Sequence, residues 1–405
     1  MLKGVVLALL MTIPVWSGDL TGYLKNYSFV ADPAPGTMSV EHPASSSTRF
    51  RLQYQTSWGQ NWSFEAAGET AWLVQQSALF GTSLFMTASQ PFSYRISDPD
   101  HRIFPTNISS NTNLVGTFNL DRLNVHWSGN KTDLIIGRQA VAWGSGKIVN
   151  PTDILAPYAF TELDTEYRLG VDAVRLRYAL NAMSELDAGY VFGKGGDISK
   201  SALFLRAKTY FAGTGATATL MRFRQHLLVG LDLTRAFGGV GTWLEAAYVR
   251  TNRFNNNAPE NSYVRVSLGA DRQLTPTVYG FLEYHYNGAG AEGRSAYLSE
   301  VAGPAYTDGA VYLLGKQYLG MGLNVQLTAL TTLNTTLLAN IQDGSAFLTT
   351  RLEHSISDNL DVSLGVYMRK GETPSVLPQV GILPGSFDEF GIYPNMLYAS
   401  LRWYF

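Results

Sequence analysis

The chain ends Leu397-Tyr398-Ala399-Ser400-Leu401-Arg402-Trp403-Tyr404-Phe405. Successive side chains of an extended chain point to opposite sides. Leu397, Ala399, Leu401, Trp403 and Phe405 therefore share one face, and Tyr398, Ser400, Arg402 and Tyr404 share the other. One face suits hydrocarbon and the other suits water, the pattern of a strand that crosses a membrane in a closed barrel.

The same period of two recurs along the chain upstream of this stretch, in about eighteen short runs bounded by Gly, Asn, Asp and Pro. Around 134–140 and 216–224 apolar and charged residues share a parity, so Arg138 and Arg222 are not oriented by pattern, and sixteen or twenty strands also fit. Elsewhere the faces are readable. An Arg or Lys on the lipid side at mid-bilayer costs roughly 2–4 kcal/mol, so charges mark the interior. Arg51 and Gln53 then face in while Leu52 and Tyr54 face out, and Glu65 and Glu69 face in while Trp62 and Phe64 face out. Arg265 and Ser267 point in, with Val264, Val266 and Leu268 out.

The connections between runs sort by parity. Every second one is tight, such as Gly59-Gln60-Asn61 and Gly129-Asn130-Lys131, whereas the others hold all the long irregular segments, including 76–112, 143–169, 287–318 and 370–393. Membrane barrels have short turns on the periplasmic side and longer extracellular loops. The expected fold is all-β, an antiparallel up-and-down transmembrane barrel over residues 18–405. Trp58, Trp62, Trp72, Trp127, Trp403 and Tyr404 are expected to form its aromatic girdles.

Residues 1–17 are expected to be a signal peptide: Lys3, an apolar run from Val5 to Val15, then Ser17. That run is too short for a membrane-spanning helix, which needs about 20 residues. Only 15% of residues are charged while 12% are aromatic, low and high for a soluble domain. The absence of cysteine excludes disulfides, thiolate metal sites and covalently attached haem. A net charge of -2 gives no reason to propose nucleic acid as a partner. No cofactor or metal is expected, since the six histidines show no ligand spacing.

Strand number sets diameter, and at sixteen to eighteen strands a barrel is too wide for its own side chains to fill. The default function is a water-filled channel for small hydrophilic solutes in an outer membrane. Arg122, Arg175, Arg177, Arg206 and Lys208 come from the fourth, sixth and eighth runs, on one side of the wall, and form a basic ladder that would favour anions.

Three resemblances extend this reading. The terminal aromatic Phe405, closing an alternating strand, resembles the C-terminal signal by which outer-membrane barrels are handed to the barrel assembly machinery. The acidic stretch from Trp143 through Asn150-Pro151-Thr152-Asp153 to Thr161-Glu162-Leu163-Asp164-Thr165-Glu166 resembles, in position and charge, the third external loop of general porins. That loop folds into the barrel and narrows it. The likeness implies that Asp153, Glu162, Asp164 and Glu166 face the basic ladder across a constriction, and that the chain could assemble as a homotrimer. Finally, Ile136-Gly137-Arg138-Gln139, Trp143-Gly144-Ser145-Gly146, Asn150-Pro151-Thr152-Asp153, Glu166-Tyr167-Arg168 and Gly170-Val171-Asp172-Ala173 are similar to a group of porin-like outer-membrane proteins. Some of these sheathe a multihaem cytochrome in porin-cytochrome conduits. The similarity covers about forty of the 405 residues. It implies an alternative function, an insulating sleeve for electron transfer.

Gly288-Ala289-Gly290-Ala291-Glu292-Gly293 fits a dinucleotide-binding pattern but lacks the helix that must follow. An outer-membrane barrel enzyme is a third class. No histidine stands in a recognisable nucleophile setting, and His126 and His285 read as lumen-wall residues.

Overall fold

The alternating runs become long strands because each places its β-branched, aromatic and aliphatic residues on one face and its polar residues on the other. The computed structural model describes residues 18–35, 40–79, 94–99, 101–105, 107–109, 111–158, 160–373 and 387–405. The expected signal peptide at 1–17 lies outside these residues, as do parts of the segments 76–112 and 370–393.

The first half contains β1 (Gly18–Asp32), β2 (Ala44–Trp58), β3 (Trp62–Gln75), β4 (Arg102–Phe104), β5 (Leu114–Ser128), β6 (Thr132–Ala140), β7 (Gly170–Asn181), β8 (Ser184–Val191) and β9 (Ala202–Phe211). The second contains β10 (Thr214–Phe223), β11 (His226–Phe237), β12 (Val240–Thr251), β13 (Asn261–Thr275) and β14 (Val278–Asn287). It continues with β15 (Gln317–Thr328), β16 (Thr331–Asn340), β17 (Ala346–Ser357), β18 (Leu360–Lys370) and β19 (Asn395–Tyr404). All but β4 form an eighteen-stranded antiparallel ring. It closes where β1 meets β19, in register from Tyr23↔Tyr404 to Asp32↔Asn395. Closure leaves no free edge, which hydrocarbon requires, since it cannot hydrogen-bond to exposed backbone.

One rim carries only two- or three-residue turns, at 59–61, 129–131, 182–183, 212–213, 238–239, 276–277, 329–330 and 358–359. The other carries all the long connections, together with one tight turn at Arg224-Gln225. Round the outer wall Leu52, Leu123, Leu176, Leu205, Leu220, Leu268, Leu282, Leu364 and Leu401 are exposed. Such a belt is unfavourable against water, at about 25 cal/mol per Å² of apolar surface, and suits lipid. At the tight-turn rim Trp58 stacks on Trp62, with ring centroids 6.1 Å apart. Trp62 pairs with Trp127 across the strands, and Trp403 lies against Phe405. Tyr404 departs from the expected girdle: it points inward, where its hydroxyl donates to Glu166 at 2.8 Å.

The two ambiguous stretches have local explanations. In β6, Gly137 adopts φ 118° and lies so close to the Leu123 carbonyl that a Cβ would sit 2.2 Å from it, so only glycine fits. Arg138 beyond it is buried in the wall, bonded to Asp172 and Asp98 at 2.7 Å each. At the C-terminal end of β10 apolar residues stand on both faces: Met221 and Phe223 are buried inside, while Leu220 faces out on the same parity as Arg222. Arg222 lies over the Phe254 ring at 4.7 Å.

β4 was not foreseen. β6 pairs only with the Leu123–Ser128 part of β5, and β4 takes up the vacated edge, aligning Arg102 with Thr117. Among the described residues, two apolar clusters pack inside the ring toward the long-connection rim. One apolar cluster packs Val141, Trp143, Ile154 and Leu155 on Phe204, Met221, Phe223 and Leu228. A second packs Val149, Leu313, Leu314, Phe387, Phe390 and Tyr393 on Tyr318, Leu338 and Phe347.

Candidate functional site

Between Ala140 and Gly170 the chain leaves the wall and crosses the lumen. Trp143 seats the first turn. Its indole packs on Phe204 at 5.0 Å and donates to the Thr152 carbonyl at 2.7 Å, closing the Asn150-Pro151-Thr152-Asp153 bend.

The far side of the crossing is held by wall carboxylates that accept backbone N–H groups. Glu283 on β14 accepts from Lys147 (2.6 Å), Ile148 (3.3 Å) and Val149 (3.1 Å). Glu245 on β12 accepts from Ser145 and Gly146 through one oxygen and from the Thr152 N–H and hydroxyl through the other. Asp232 on β11 takes the Ser145 hydroxyl at 2.6 Å, and Asp271 on β13 faces the Lys147 ammonium at 3.3 Å. A segment of loop crowded with unpaired N–H groups meets a wall of anions, so each satisfies the other's hydrogen-bonding capacity.

The return half of the loop swings to the opposite wall. Lys25 on β1 is wholly buried and bonds Glu166 at 2.6 Å and Asp164 at 3.2 Å, while Arg49 on β2 lies 3.7 Å from Asp164. Tyr167 covers the Arg51 guanidinium at 4.6 Å. Arg168 turns back to Asp153 at 3.1 Å, stacks on Tyr158 at 3.8 Å, and offers its carbonyl to Arg122 at 2.8 Å. Burial pushes the Asp153 carboxyl up to about 7, against the pull of Arg168.

The four loop carboxylates therefore do not line up against the ladder. Asp164 and Glu166 are held by Lys25 and Arg49, Asp153 by Arg168, and Glu162 follows Thr161 on the side of β18, where Tyr367 reaches the Thr161 carbonyl. The ladder itself is partly neutralised from its own wall. Arg175 makes a two-pronged bond to Asp187 on β8 at 2.9 and 2.7 Å. Arg206 lies 3.7 Å from the same Asp187 and 4.5 Å over the Trp143 ring. Arg122 shares Asp121 with Arg51, at 2.7 and 2.6 Å, and Arg177 reaches Asp133 at 3.4 Å. Lys208 is exposed. His126 bonds Asp133, and His285 is buried against Ser267, so both stand in the wall.

Lys25, Asp121, Asp187 and Glu245 are the residues that sequence reading missed. Lys25 shares its parity with Tyr23 and Tyr27, and the rule that charges mark the interior would have found it. On the tight-turn side of the crossing a cleft of about 400 Å³ opens between Thr21, Tyr23, Arg51, Gln53, Tyr167 and Tyr404.

No family model and no curated protein matches this sequence. Several solved structures share its fold. OccAB1 of Acinetobacter baumannii superposes with a TM-score of 0.58 at 9% identity, covering 96% of each chain. A BenF-like porin from Pseudomonas fluorescens Pf-5 gives 0.57 at 12% identity, covering 96% of this chain and 99% of that one. The outer membrane protein OprD from Pseudomonas aeruginosa gives 0.52 at 12% identity, covering 96% and 93%. At such identities the likeness is one of fold, a porin-like barrel.

Proposed function

We propose that the protein resides in a bacterial outer membrane and is a channel for small hydrophilic solutes, narrowed by the loop at 141–169. The observation that carries this reading is a ring too wide to be filled by its own wall, crossed by a loop that both walls hold through charged groups. A purely structural barrel has no need of such a crossing. In this reading residues 1–17 direct export, the long connections face outward from the cell, and the tight turns and Phe405 face the periplasm, with Phe405 read by the assembly machinery.

The charge count supports a preference for anions. Arg175 and Arg206 share one aspartate, Asp187, and Lys208 on the same strand as Arg206 is exposed, whereas the arginines round Asp121 also have Asp98, Glu65 and Glu69 beside them. Asp164 and Glu166 are occupied by Lys25 and Arg49 rather than by Arg175 or Arg206. The wall on that side keeps a positive field, which raises the local concentration of anions.

Solute flux into liposomes tests the proposal. Vesicles carrying the refolded protein should swell in small neutral and anionic solutes, anions entering faster, and Arg175→Ala with Arg177→Ala should narrow that difference. Vesicles that do not swell would reject the channel; an unchanged anion-to-neutral ratio in the double variant would reject the role of the ladder.

A further inference from the structure

Arg265 on β13 is the one arginine of the lumen wall named above that has no carboxylate within ion-pair distance among the described residues. Its side chain is buried, at 2% exposure, and its Nε and Nη1 hydrogens have no acceptor. Its strand neighbours offer no charge: Ala247 stands opposite on β12, and Asn287 opposite on β14 gives its amide hydrogens to the carbonyls of Leu313 and Gly315. Two residues away on the same face, the buried Tyr263 hydroxyl also lacks a partner. Ala310, Val311 and Tyr312, from the connection at 288–316, are buried alongside.

No carboxylate among the described residues forms an ion pair with Arg265, and those of the surrounding segments have contacts of their own. Asp308 holds Arg224 at 2.9 Å and His226 at 3.1 Å. Glu389 takes the Leu314 N–H, the Tyr318 hydroxyl and the Asn340 amide. Glu283 holds the crossing loop, and Asp153, whose oxygens accept no hydrogen bond, lies 3.1 Å from Arg168. A guanidinium does not lose its proton in proteins, and an unpaired buried charge costs several kcal/mol. A counter-charge from outside the chain resolves this.

We propose that Arg265 binds a small monovalent anion, of halide or nitrate type, on its Nε–Nη1 edge beside the Tyr263 hydroxyl. One negative charge is what a lone guanidinium can neutralise; a divalent anion would leave a net buried charge of its own. Close packing favours a small ion: a Cβ on Gly309 would lie 2.5 Å from the Tyr263 oxygen. The bound ion would tie β13 to the 288–316 connection and stiffen the apolar filling of the lumen. None of this depends on solute transport, so it stands or falls apart from the channel reading.

The test is a crystal structure of the whole protein soaked in bromide, with a companion measurement in solution. Anomalous scattering should place bromide at hydrogen-bonding distance from Arg265 Nε or Nη1. At constant ionic strength, the thermal midpoint should rise with chloride or bromide replacing gluconate and then saturate. Arg265→Met should abolish that dependence. Tyr263→Phe, which leaves the wall apolar and intact, should raise the halide concentration for half-effect about tenfold, the worth of one hydrogen bond. A water molecule in place of bromide at Arg265, or a halide dependence unchanged in Tyr263→Phe and in any folded Arg265→Met, would overturn the proposal.

Discussion

Replacing Glu283 by alanine removes the carboxylate that holds the far end of the lumen crossing. Glu283 accepts three backbone N–H groups, from Lys147, Ile148 and Val149, and the Trp243 indole N–H at 3.1 Å. A hydrogen bond to a charged group is worth about 1.5–3 kcal/mol, so the three loop bonds together contribute roughly 4–9 kcal/mol, the lower end applying where lumen water can replace the lost acceptor. At about 4 kcal/mol the balance between seated and unseated loop shifts about a thousandfold. Glu245, which still holds Ser145, Gly146 and Thr152, keeps the turn from leaving altogether. The variant should therefore fold and span the membrane with its barrel intact, while the crossing segment samples positions off the wall. Single-channel recording should show larger conductance with added flicker, and limited proteolysis should cut within 144–150, where the wild type resists. A Glu283→Ala channel with wild-type conductance, noise and protease resistance would refute the claim that this carboxylate seats the loop.

Four further outcomes follow from the same geometry. Lys25→Met leaves Asp164 and Glu166 without their buried partner, a loss of about 3–5 kcal/mol, and should shift the reversal potential in a salt gradient toward cations; no shift would separate Lys25 from selectivity. Asp153 is held up to about 7 by burial, so between that value and its unfolded value of about 3.9 the folded chain keeps a proton that the unfolded chain has released. Its contribution to stability therefore grows as pH falls from about 7 toward about 4, and Asp153→Asn should flatten this part of the thermal-midpoint profile; a variant profile that parallels the wild type's would count against it. Asp187→Asn removes the one carboxylate shared by Arg175 and Arg206, and anion preference measured by reversal potential should rise. Deleting Phe405, which bonds Gly22 through both backbone groups and stacks on Phe50 at 6.1 Å, should lower the yield of folded barrel in outer-membrane fractions; an unaltered yield would remove Phe405 from assembly.

The ring was legible because its signals are local. Alternation in 397–405, charges marking the inner face, and the sorting of tight and long connections each need only neighbouring residues. What crosses the lumen was not. Lys25 meets Glu166 at a separation of 141 residues, and Lys147 meets Glu283 at 136. Periodicity says which way a side chain points, never what it finds there. The ladder led to the same limit: Arg175 and Arg206 were read as facing loop carboxylates, but Asp187 from the strand between them reaches them first, as a neighbour on the wall costs no loop ordering. The ambiguity at 216–224 carried information. A strand apolar on both faces near one rim meant lipid outside and a packed loop inside, and Met221 and Phe223 do lie under Leu155 and Trp143 in one cluster. Tyr404 was placed on the right face with Arg402 yet given an interfacial role that its inward hydroxyl contradicts.

The central claim is a hydrated path through a wide ring narrowed by a seated loop, and the current through single molecules tests it most directly. Purified protein added to a planar lipid bilayer should produce discrete, uniform conductance steps, with a reversal potential in a salt gradient that favours anions. A protein that inserts as folded barrel and passes no steps at any applied voltage would contradict it.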